Sequence, residues 1–273
     1  AGAPHRCGAA PTRRRRARMS GDLPASSPLW ISAFLDLAAE ELERGTAFWA
    51  QVTGTTLSTV RGERAEFTTL VPPDGDDHLR VQRRDEGPSR VHLDLHVADQ
   101  AAAAEHAQRL GAEVVGAAEE GYVVLRSPGG LAFCFVGHPA STRSRPTTWP
   151  TGHHSQVDQL SIDVPAPLLE AELAFWRDLT GWRLRRTAYE EFHLLEVPAG
   201  QPLQVLLQRL DDDVPEVSVH LDLTTDDVGA ELARHVALGA RVVTSHDHWT
   251  VMADPGGLRY CIAGDPPDDD VPA

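Results

Sequence analysis

The chain repeats itself at a nearly constant offset, and this duplication constrains its fold more than any other feature. The pair Phe48–Trp49 recurs as Phe175–Trp176, 127 residues later, and Val91–Leu95 recurs as Val219–Leu223, 128 residues later. Three further pairs keep the same spacing: Leu110–Ala112 with Leu238–Ala240, Pro128–Leu131 with Pro255–Leu258, and Cys134 with Cys261. The sequence therefore contains two homologous units, and neither has more than one residue inserted or deleted relative to the other between these landmarks.

The repeat divides the chain into two units and three flanking segments. We place the first unit at residues 28–139 and the second at residues 155–265. Residues 140–154 are rich in Pro, Ser and Thr, which is typical of a linker. Residues 1–27, which include a run of Arg, and the acidic residues 266–273 are expected to be disordered tails.

The composition argues against several classes of function. The chain has 40 Asp and Glu residues against 25 Lys and Arg, a net charge of −15, which disfavours nucleic acid as a partner. No apolar run approaches the roughly 18 residues that cross a bilayer, so no membrane partner is expected. The sequence contains no Lys, which excludes Schiff-base chemistry. Three cysteines are too few for a disulfide framework, and we expect a cytoplasmic bacterial protein.

The hydrophobic pattern predicts two βαβββ modules in each unit. In the first unit, Ile31–Asp36 is a predicted strand, and Glu40–Val52 is a predicted helix that ends before Gly54. Asp99 is a candidate N-cap for a second helix, as Asp226 or Asp227 is in the second unit. The other predicted strands of the first unit are Glu66–Val71, Leu79–Gln82, Val91–Val97, Tyr122–Arg126 and Leu131–Val136.

These landmarks, in this order and present twice, resemble the vicinal oxygen chelate superfamily. The motifs are Phe-Trp followed by Gly after the first helix, His-Leu-Asp-Leu in the fifth strand, Leu-Gly-Ala after the second helix, and Pro-Gly-Gly-Leu shortly before a Cys. The superfamily includes glyoxalase I, extradiol dioxygenases, fosfomycin-resistance enzymes and bleomycin-binding proteins. The likeness is greatest to tandem glyoxalase-like domain proteins of actinobacterial type.

The resemblance implies an α+β fold in which curved mixed sheets enclose a pocket on their concave faces and carry helices on their convex faces. It also implies that the two units pack as a pseudo-dimer, so the protein is expected to be a monomer of this kind or a homodimer. The expected partner is a small-molecule ligand or substrate.

Strand alternation indicates which side chains face that pocket. In Val91–Val97 the apolar residues share one face, which leaves the polar residues for the concave face. In the first strands, the polar face carries Gln159, Ser161 and Asp163 in the second unit, matching Ser32, Phe34 and Asp36 in the first. The candidate pocket residues are Gln82, His92, Asp94, His96 and Cys134 in the first unit, and Gln159, Gln208, His220, Asp222, Trp249 and Cys261 in the second.

The resemblance also implies where a metal ion would bind. Metal-using members take a His or Gln from the first strand, a His from the fifth and a Glu from the eighth. In the second unit these positions hold Gln159, His220 and Cys261, and in the first unit Ser32 takes the first position. We expect either no cofactor or a divalent Zn, Ni, Fe or Mn ion in the second unit.

Several of these residues have a simpler interpretation. A His and an Asp two residues apart on a strand can form a general-base pair or only a polar network in a pocket wall. The two strand cysteines can be nucleophiles or small buried hydrophobic residues, and no cationic residue adjoins them in the sequence. Tyr122, Trp182, Trp249 and Tyr260 are candidates for an aromatic pocket lining.

Three hypotheses of function remain open at this point. The first is a metal-independent binder of small molecules, of the drug-sequestering type. The second is a metal-dependent lyase, isomerase or dioxygenase of the glyoxalase type that acts through Gln159 and His220, with His220 or Asp222 as the catalytic base. The third is a structural or regulatory partner-binding protein whose pockets are filled by side chains such as Phe34, Trp249 and Tyr260.

Overall fold

The computed structural model describes residue 24 and residues 26–117, 121–137, 139–211 and 216–264. The first unit contains two helices, α1 (Leu42–Thr53) and α2 (Gln100–Arg109). Its eight strands are β1 (Trp30–Ala38), β2 (Thr56–Leu57), β3 (Phe67–Val71), β4 (Leu79–Arg84), β5 (Arg90–His96), β6 (Glu113–Ala117), β7 (Val123–Arg126) and β8 (Ala132–Val136).

The second unit repeats this order after a short strand, β9 (Thr147–Thr148), that pairs with β10. A 3-10 turn at Ala166–Leu168 precedes helix α3 (Leu169–Thr180), and the second helix is α4 (Val228–Ala237). Its other strands are β10 (His154–Pro165), β11 (Leu184–Arg186), β12 (Phe192–Leu195), β13 (Gln204–Leu210), β14 (Ser218–Thr225), β15 (Arg241–Ser245), β16 (Trp249–Ala253) and β17 (Arg259–Ala263). None of the described helices is both long and apolar enough to cross a bilayer.

Both units have the same sheet topology, which confirms the predicted α+β fold of tandem βαβββ modules. The strand order is β2-β3-β4-β1-β5-β8-β7-β6 in the first sheet and β11-β12-β13-β10-β14-β17-β16-β15 in the second. The first strands of the two modules pair antiparallel, while each pairs in parallel with the last strand of its own module. The concave face of each curved mixed sheet is thus formed at its centre by four strands from two modules.

The predicted helix ends coincide with strong local signals. Gly54 and Gly181 end α1 and α3 with left-handed φ values of 69° and 70°, a conformation that glycine adopts without a Cβ penalty. Asp99 caps α2 by accepting a hydrogen bond from Ala102 N. In the second unit the cap is Asp227, not Asp226, because Asp227 is the residue that accepts from the helix, at Ala230 N.

Two segments outside the predicted units belong to the packed structure. Ser26 is fully buried, and its hydroxyl lies 2.7 Å from His106 Nδ1. Between the units, Ser144 and His153 are buried, and His153 Nε2 lies 2.8 Å from a carboxylate oxygen of Glu231. The predicted linker, residues 140–154, thus has these two buried side chains, while its other residues are half-buried or exposed. Most of the two predicted tails lies outside the described residues. Of the first tail, residues 1–27, only residues 24, 26 and 27 are described, and none of the second, residues 266–273, is described.

The first helix of each unit packs against the other unit through aromatic side chains. Phe48 and Trp49 of α1 contact Tyr260 of β17, with ring centroids 6.1 and 5.2 Å apart, and Trp49 Nε1 donates to Asp254 Oδ2 at 3.0 Å. In the reciprocal contact, the rings of Phe175 and Trp176 of α3 lie 6.0 and 5.2 Å from Phe133 of β8.

This packing corrects one prediction from the sequence. Tyr260 and Trp182 are almost fully buried, and Tyr260 lies between the units, on the opposite side of β17 from Cys261. Tyr260 is therefore not part of a pocket lining. Strand alternation already places Tyr260 and Cys261 on opposite faces, so the two predictions could not both hold.

Candidate functional site

The central strands of the second unit bring the predicted polar residues into neighbouring positions. Strand β10 places Gln159 opposite Asp222 and Ser161 opposite His220 of β14. Strand β17 lies parallel to β14 and places Cys261 beside Asp222. These five residues therefore share the concave face of the second sheet, which we call the second cup.

His220 lies at the centre of this group. Its Nδ1 donates to Asp163 Oδ2 at 2.8 Å, and its Nε2 lies 3.1 Å from Asp222 Oδ1. The thiol of Cys261 lies 3.5 Å from the same Nε2. One nitrogen, one carboxylate oxygen and one sulfur thus converge, all within 4.8 Å of one another.

The two oxygens of Asp222 have different surroundings. Oδ2 accepts hydrogen bonds from Gln159 Nε2 at 2.6 Å and from Ser161 Oγ at 2.5 Å. Oδ1 is buried and faces His220, whose Nε2 lies 3.1 Å away in an ion-pair contact. The charge of His220 therefore lies against this oxygen, and it contributes to a lowered pKa of the Asp222 carboxyl.

The charges of the second cup follow from these contacts. Burial lowers the pKa of His220, but the charge of Asp222 and the hydrogen bonds to Asp163 and Asp222 outweigh it, so the pKa lies well above its usual value. Burial raises the pKa of the Cys261 thiol. At neutral pH the group therefore contains an imidazolium at His220, an ionised carboxylate at Asp222 and a neutral thiol at Cys261.

The first unit has the same four residue types in the same positions. His92 Nδ1 donates to Asp36 Oδ1 at 2.8 Å, and His92 Nε2 lies 3.5 Å from Asp94 Oδ1. Cys134 pairs with Asp94 in the register of β5 and β8, and the three side chains His92, Asp94 and Cys134 also converge within 4.8 Å. In addition, Arg90 Nε donates to Asp36 Oδ2 at 2.9 Å. In the second unit the residue opposite Asp163 in the strand register is Ser218, which takes the place of Arg90.

The cover over the histidine differs between the two cups. In the first cup the ring of Phe34 stacks on His92, with centroids 4.8 Å apart and planes 5° apart. The guanidinium of Arg80 lies 5.7 Å from the Phe34 ring and donates to Ser32 Oγ at 3.3 Å. Ser161 takes the position of Phe34 in the second cup, so the His220 ring there carries no stacked phenyl group from its cross-strand neighbour.

The remaining predicted pocket residues lie at the edges of the two groups. His96 Nε2 lies 2.8 Å from Ser32 Oγ, which separates it from the His92 cluster. Gln82 and Gln208 are half-buried, and the strand register places them next to Asp36 and Asp163. Trp249 is half-buried, with its ring 5.6 Å from Phe192 of β12 and stacked on His246 at 4.6 Å.

Sequence reasoning does not identify three residues of the site. Strand alternation places Asp36 and Asp163 on the polar face, and their shared 127-residue offset is the one signal that could mark them as partners of the histidines. The third is Phe192, for which the sequence offers no such signal.

The surroundings of the cysteines also differ from those along the chain. No cationic residue adjoins Cys261 in the sequence, but the imidazolium of His220 on the neighbouring strand lies 3.5 Å from Cys261 Sγ.

The ligand set implied by the resemblance, Gln159, His220 and Cys261, stays a prediction. The amide nitrogen of Gln159 donates to Asp222 Oδ2, so Gln159 supports Asp222. Asp222 Oδ1 lies 3.1 Å from His220 Nε2, and His220, Asp222 and Cys261 each offer a ligand atom within 4.8 Å of the others. These three side chains offer a nitrogen, an oxygen and a sulfur, which fit a divalent ion in chemistry.

Comparison with known proteins agrees with the fold and the duplication. Residues 32–136 and 159–263 each match the family described as Glyoxalase-like domain. No curated protein matches the chain.

Among solved structures, the chain resembles an extradiol ring-cleaving dioxygenase from B. fuscum, with a TM-score of 0.60, 14% identity, and coverage of 92% of this chain and 76% of that one. It also resembles 2,2',3-trihydroxybiphenyl 1,2-dioxygenase from Sphingomonas wittichii strain RW1, with a TM-score of 0.58, 18% identity, and coverage of 86% and 91%.

A third similar structure is a fusion protein of a xylose isomerase-like TIM barrel and 4-hydroxyphenylpyruvate dioxygenase. The TM-score is 0.58 at 15% identity, over 88% of this chain. The chain spans about half the length of that fusion protein, 49%. At these identities the likenesses concern the fold alone.

Proposed function

Because the chain belongs to the glyoxalase-like domain family, as a tandem member of the vicinal oxygen chelate superfamily, we propose that it binds a small organic molecule in its second cup. One observation carries this proposal: the second cup has Ser161 where the first has Phe34. The side chains of His220 and Asp163 are accordingly 15% and 18% exposed, against 10% and 6% for His92 and Asp36. The polar floor of the second cup is thus more exposed than that of the first.

The walls of the second cup have the composition of a ligand site. Ligand pockets are mostly apolar, with a small number of polar groups that fix orientation. Here the polar groups are Asp163, His220 and Gln208. The half-buried apolar side chains on the same face, by strand alternation, are Phe192, Leu194, Leu206, Trp249 and Val251.

We propose further that the organic ligand binds without a metal ion, as a drug-sequestering protein would bind its drug. The aromatic pair Phe192 and Trp249 and the polar group Gln208 are held by the sheet itself and need no ion to be in position. The third hypothesis, a filled pocket, is favoured only for the first cup, where Phe34 covers His92.

A closure variant tests this proposal. Ser161→Phe copies the first cup into the second, and Thr59→Phe adds the same ring at an exposed position of the first unit as a control. Chelator-treated wild-type protein is screened by thermal shift against substituted catechols, aromatic amines and aliphatic alcohols, with calorimetry on the hits. We expect hits among the aromatic compounds, retained in Thr59→Phe and lost in Ser161→Phe. Hits that bind Ser161→Phe equally well would place the ligand elsewhere.

A metal-dependent lyase, isomerase or dioxygenase activity is the second candidate. The convergence of His220, Asp222 and Cys261 favours it. The cup has no Glu on β17, so the base would be His220 or Asp222, as expected from the sequence, or Asp163, which also contacts His220. Glyoxalase and ring-cleavage assays on protein loaded with Zn, Ni, Fe or Mn, compared with His220→Ala, test this candidate.

A further inference from the structure

We propose that His220 Nε2, Asp222 Oδ1 and Cys261 Sγ form a thiolate-containing site for one Zn²⁺-class ion per chain. This ligand set differs from the first-, fifth- and eighth-strand set that the superfamily resemblance implies, because an aspartate of β14 replaces the first-strand residue and a thiolate replaces the glutamate. The inference goes beyond the proposed function, which does not depend on it.

The two distances from His220 Nε2 match those of a tetrahedral ion, and the third pair of atoms lies within 4.8 Å. Zn–N and Zn–O bonds are about 2.0 Å and Zn–S bonds about 2.3 Å, so tetrahedral angles separate N from O by about 3.3 Å and N from S by about 3.5 Å. The distances in the second cup are 3.1 Å between His220 Nε2 and Asp222 Oδ1 and 3.5 Å between His220 Nε2 and Cys261 Sγ. Three protein ligands leave a fourth position for water or an exogenous ligand.

The surrounding hydrogen bonds orient each ligand atom. A histidine that binds a metal usually donates its other ring N–H to a carboxylate, and Asp163 accepts from His220 Nδ1 in this way. Gln159 and Ser161 both donate to Asp222 Oδ2. Those two bonds turn Oδ1 towards His220 and Cys261. A bound cation would take the place of the protons on His220 Nε2 and Cys261 Sγ, which are released on binding.

The first cup has the same residue types in other surroundings. His92, Asp94 and Cys134 also lie within 4.8 Å of one another, with His92 Nε2 3.5 Å from Asp94 Oδ1 against 3.1 Å between His220 and Asp222. Ser32, which corresponds to Gln159, is engaged with His96 and Arg80. Arg90 adds a positive charge against Asp36, and Phe34 covers His92. A cation is therefore favoured in the second cup, where Ser218 and Ser161 take the positions of Arg90 and Phe34, and we expect one ion per chain.

The test uses the full chain, produced without a His tag and stripped with chelator. Zn²⁺ binding is measured by elemental analysis and competition titration, and Co²⁺ serves as a spectroscopic probe of the ligands. We expect one equivalent of either metal and a sulfur-to-cobalt charge-transfer band, retained in Cys134→Ser and lost in Cys261→Ser. Asp163→Asn should weaken Zn²⁺ affinity about ten- to hundredfold, with Asp36→Asn unchanged as its matched control.

Each contrary result would overturn the site. A Co²⁺ complex of the wild-type protein without a sulfur band excludes Cys261 as a ligand, whether or not Cys261→Ser folds. Equal affinity in wild type and Asp222→Asn excludes the carboxylate. Two equivalents, one of them lost in Cys134→Ser, would show that the first cup binds as well and would refute the restriction to the second. Binding of an organic ligand to chelator-treated protein is scored separately, so either proposal can fail alone.

Discussion

The two cups of this protein contain the same polar quartet, yet the first is closed by a stacked phenyl ring and the second is more exposed. Each quartet has an Asp on the first strand, His and Asp on the fifth, and Cys on the eighth. They are Asp36, His92, Asp94 and Cys134 in the first unit, and Asp163, His220, Asp222 and Cys261 in the second.

The covering residues account for the difference. In the first cup Phe34 stacks on His92, Arg80 lies over the Phe34 ring, and Arg90 pairs with Asp36. The second unit has Ser161, Leu206 and Ser218 at the corresponding positions of the strand register. The same strand framework therefore supports either a closed polar cluster or an accessible site. Access is decided by a few side chains next to the quartet and not by the quartet itself.

Removing the cover of the first cup should produce the largest effect on stability. Phe34→Ala deletes a buried ring that contacts both His92 and Phe67, and such deletions cost about 4 kcal/mol of unfolding free energy. Phe192→Ala in the second cup removes a half-buried ring and should cost about half as much. Urea unfolding monitored by circular dichroism measures both. Equal costs would show that the two cups are packed alike.

The next largest effect is a loss of stability at low pH, caused by His78, the residue before β4. The pKa of His78 is lowered to about 4, chiefly by burial and also by the positive charges of Arg143 and Arg80. The hydrogen bond to the Val157 carbonyl and the charge of Asp77 raise this pKa, but by less. Because the folded-state pKa lies below the unfolded value of about 6.5, stability is complete above pH 6.5 and is lost as the pH falls towards 4. The loss is about 3 kcal/mol, at 1.36 kcal/mol for each pKa unit.

The second unit supplies the variant that isolates this effect. The register of β4 and β13 places Gln204 at the position corresponding to His78. His78→Gln should therefore flatten the fall in stability between pH 6.5 and 4, as measured by urea unfolding at several pH values. If the difference between wild type and His78→Gln does not change over this range, the buried histidine is not neutral in the folded protein.

A smaller effect should separate the two first-strand aspartates. Asp36 is buried and contacts both His92 and Arg90, and removing one partner of a buried pair costs about 3 kcal/mol or more. Asp163 is partly exposed and contacts His220 alone, so Asp163→Ala should cost about 1 to 2 kcal/mol less than Asp36→Ala. Denaturant titration of the two variants at pH 7 gives the comparison, and the reverse order would contradict the assignment of the closed cup to the first unit.

The sequence was sufficient for the architecture because duplication and strand alternation are local or periodic signals. The strands, the capped helices and the concave position of His220 and Asp222 all follow from such signals. The edge strands β2 and β6 were missed because most of their residues are exposed and show no alternation of buried side chains.

The contacts within the site could not be predicted from the same signals. That Gln159 supports Asp222, and that Asp163 holds His220, depends on cross-strand register, which one sequence does not reveal. The contacts of α1 and α3 with the opposite unit, which place Tyr260 in the interface, depend on packing between residues far apart in the sequence. Cover by Phe34 depends in turn on the rotamer that its neighbours permit.

The smallest expected effect concerns the two cysteines and bears on why both units have one. Each thiol is buried in an apolar strand and, in the second cup, makes only a long contact of 3.5 Å with His220. In chelator-treated protein, Cys134→Ser and Cys261→Ser change little volume, and we expect each to cost about 1 kcal/mol or less in urea unfolding.

Adding Zn²⁺ to the same samples then separates the two roles of the thiol. If packing alone explains the cysteines, Zn²⁺ leaves wild type and both variants equally stable. If Cys261 is a ligand, a hundredfold excess of Zn²⁺ over its dissociation constant stabilises wild type and Cys134→Ser by about 3 kcal/mol and leaves Cys261→Ser unchanged. A thiol that contributes almost nothing to the stripped protein and several kilocalories per mole with the ion present is retained for what it binds. The same measurement on Cys134 shows whether the closed cup has kept that capacity or only the residue.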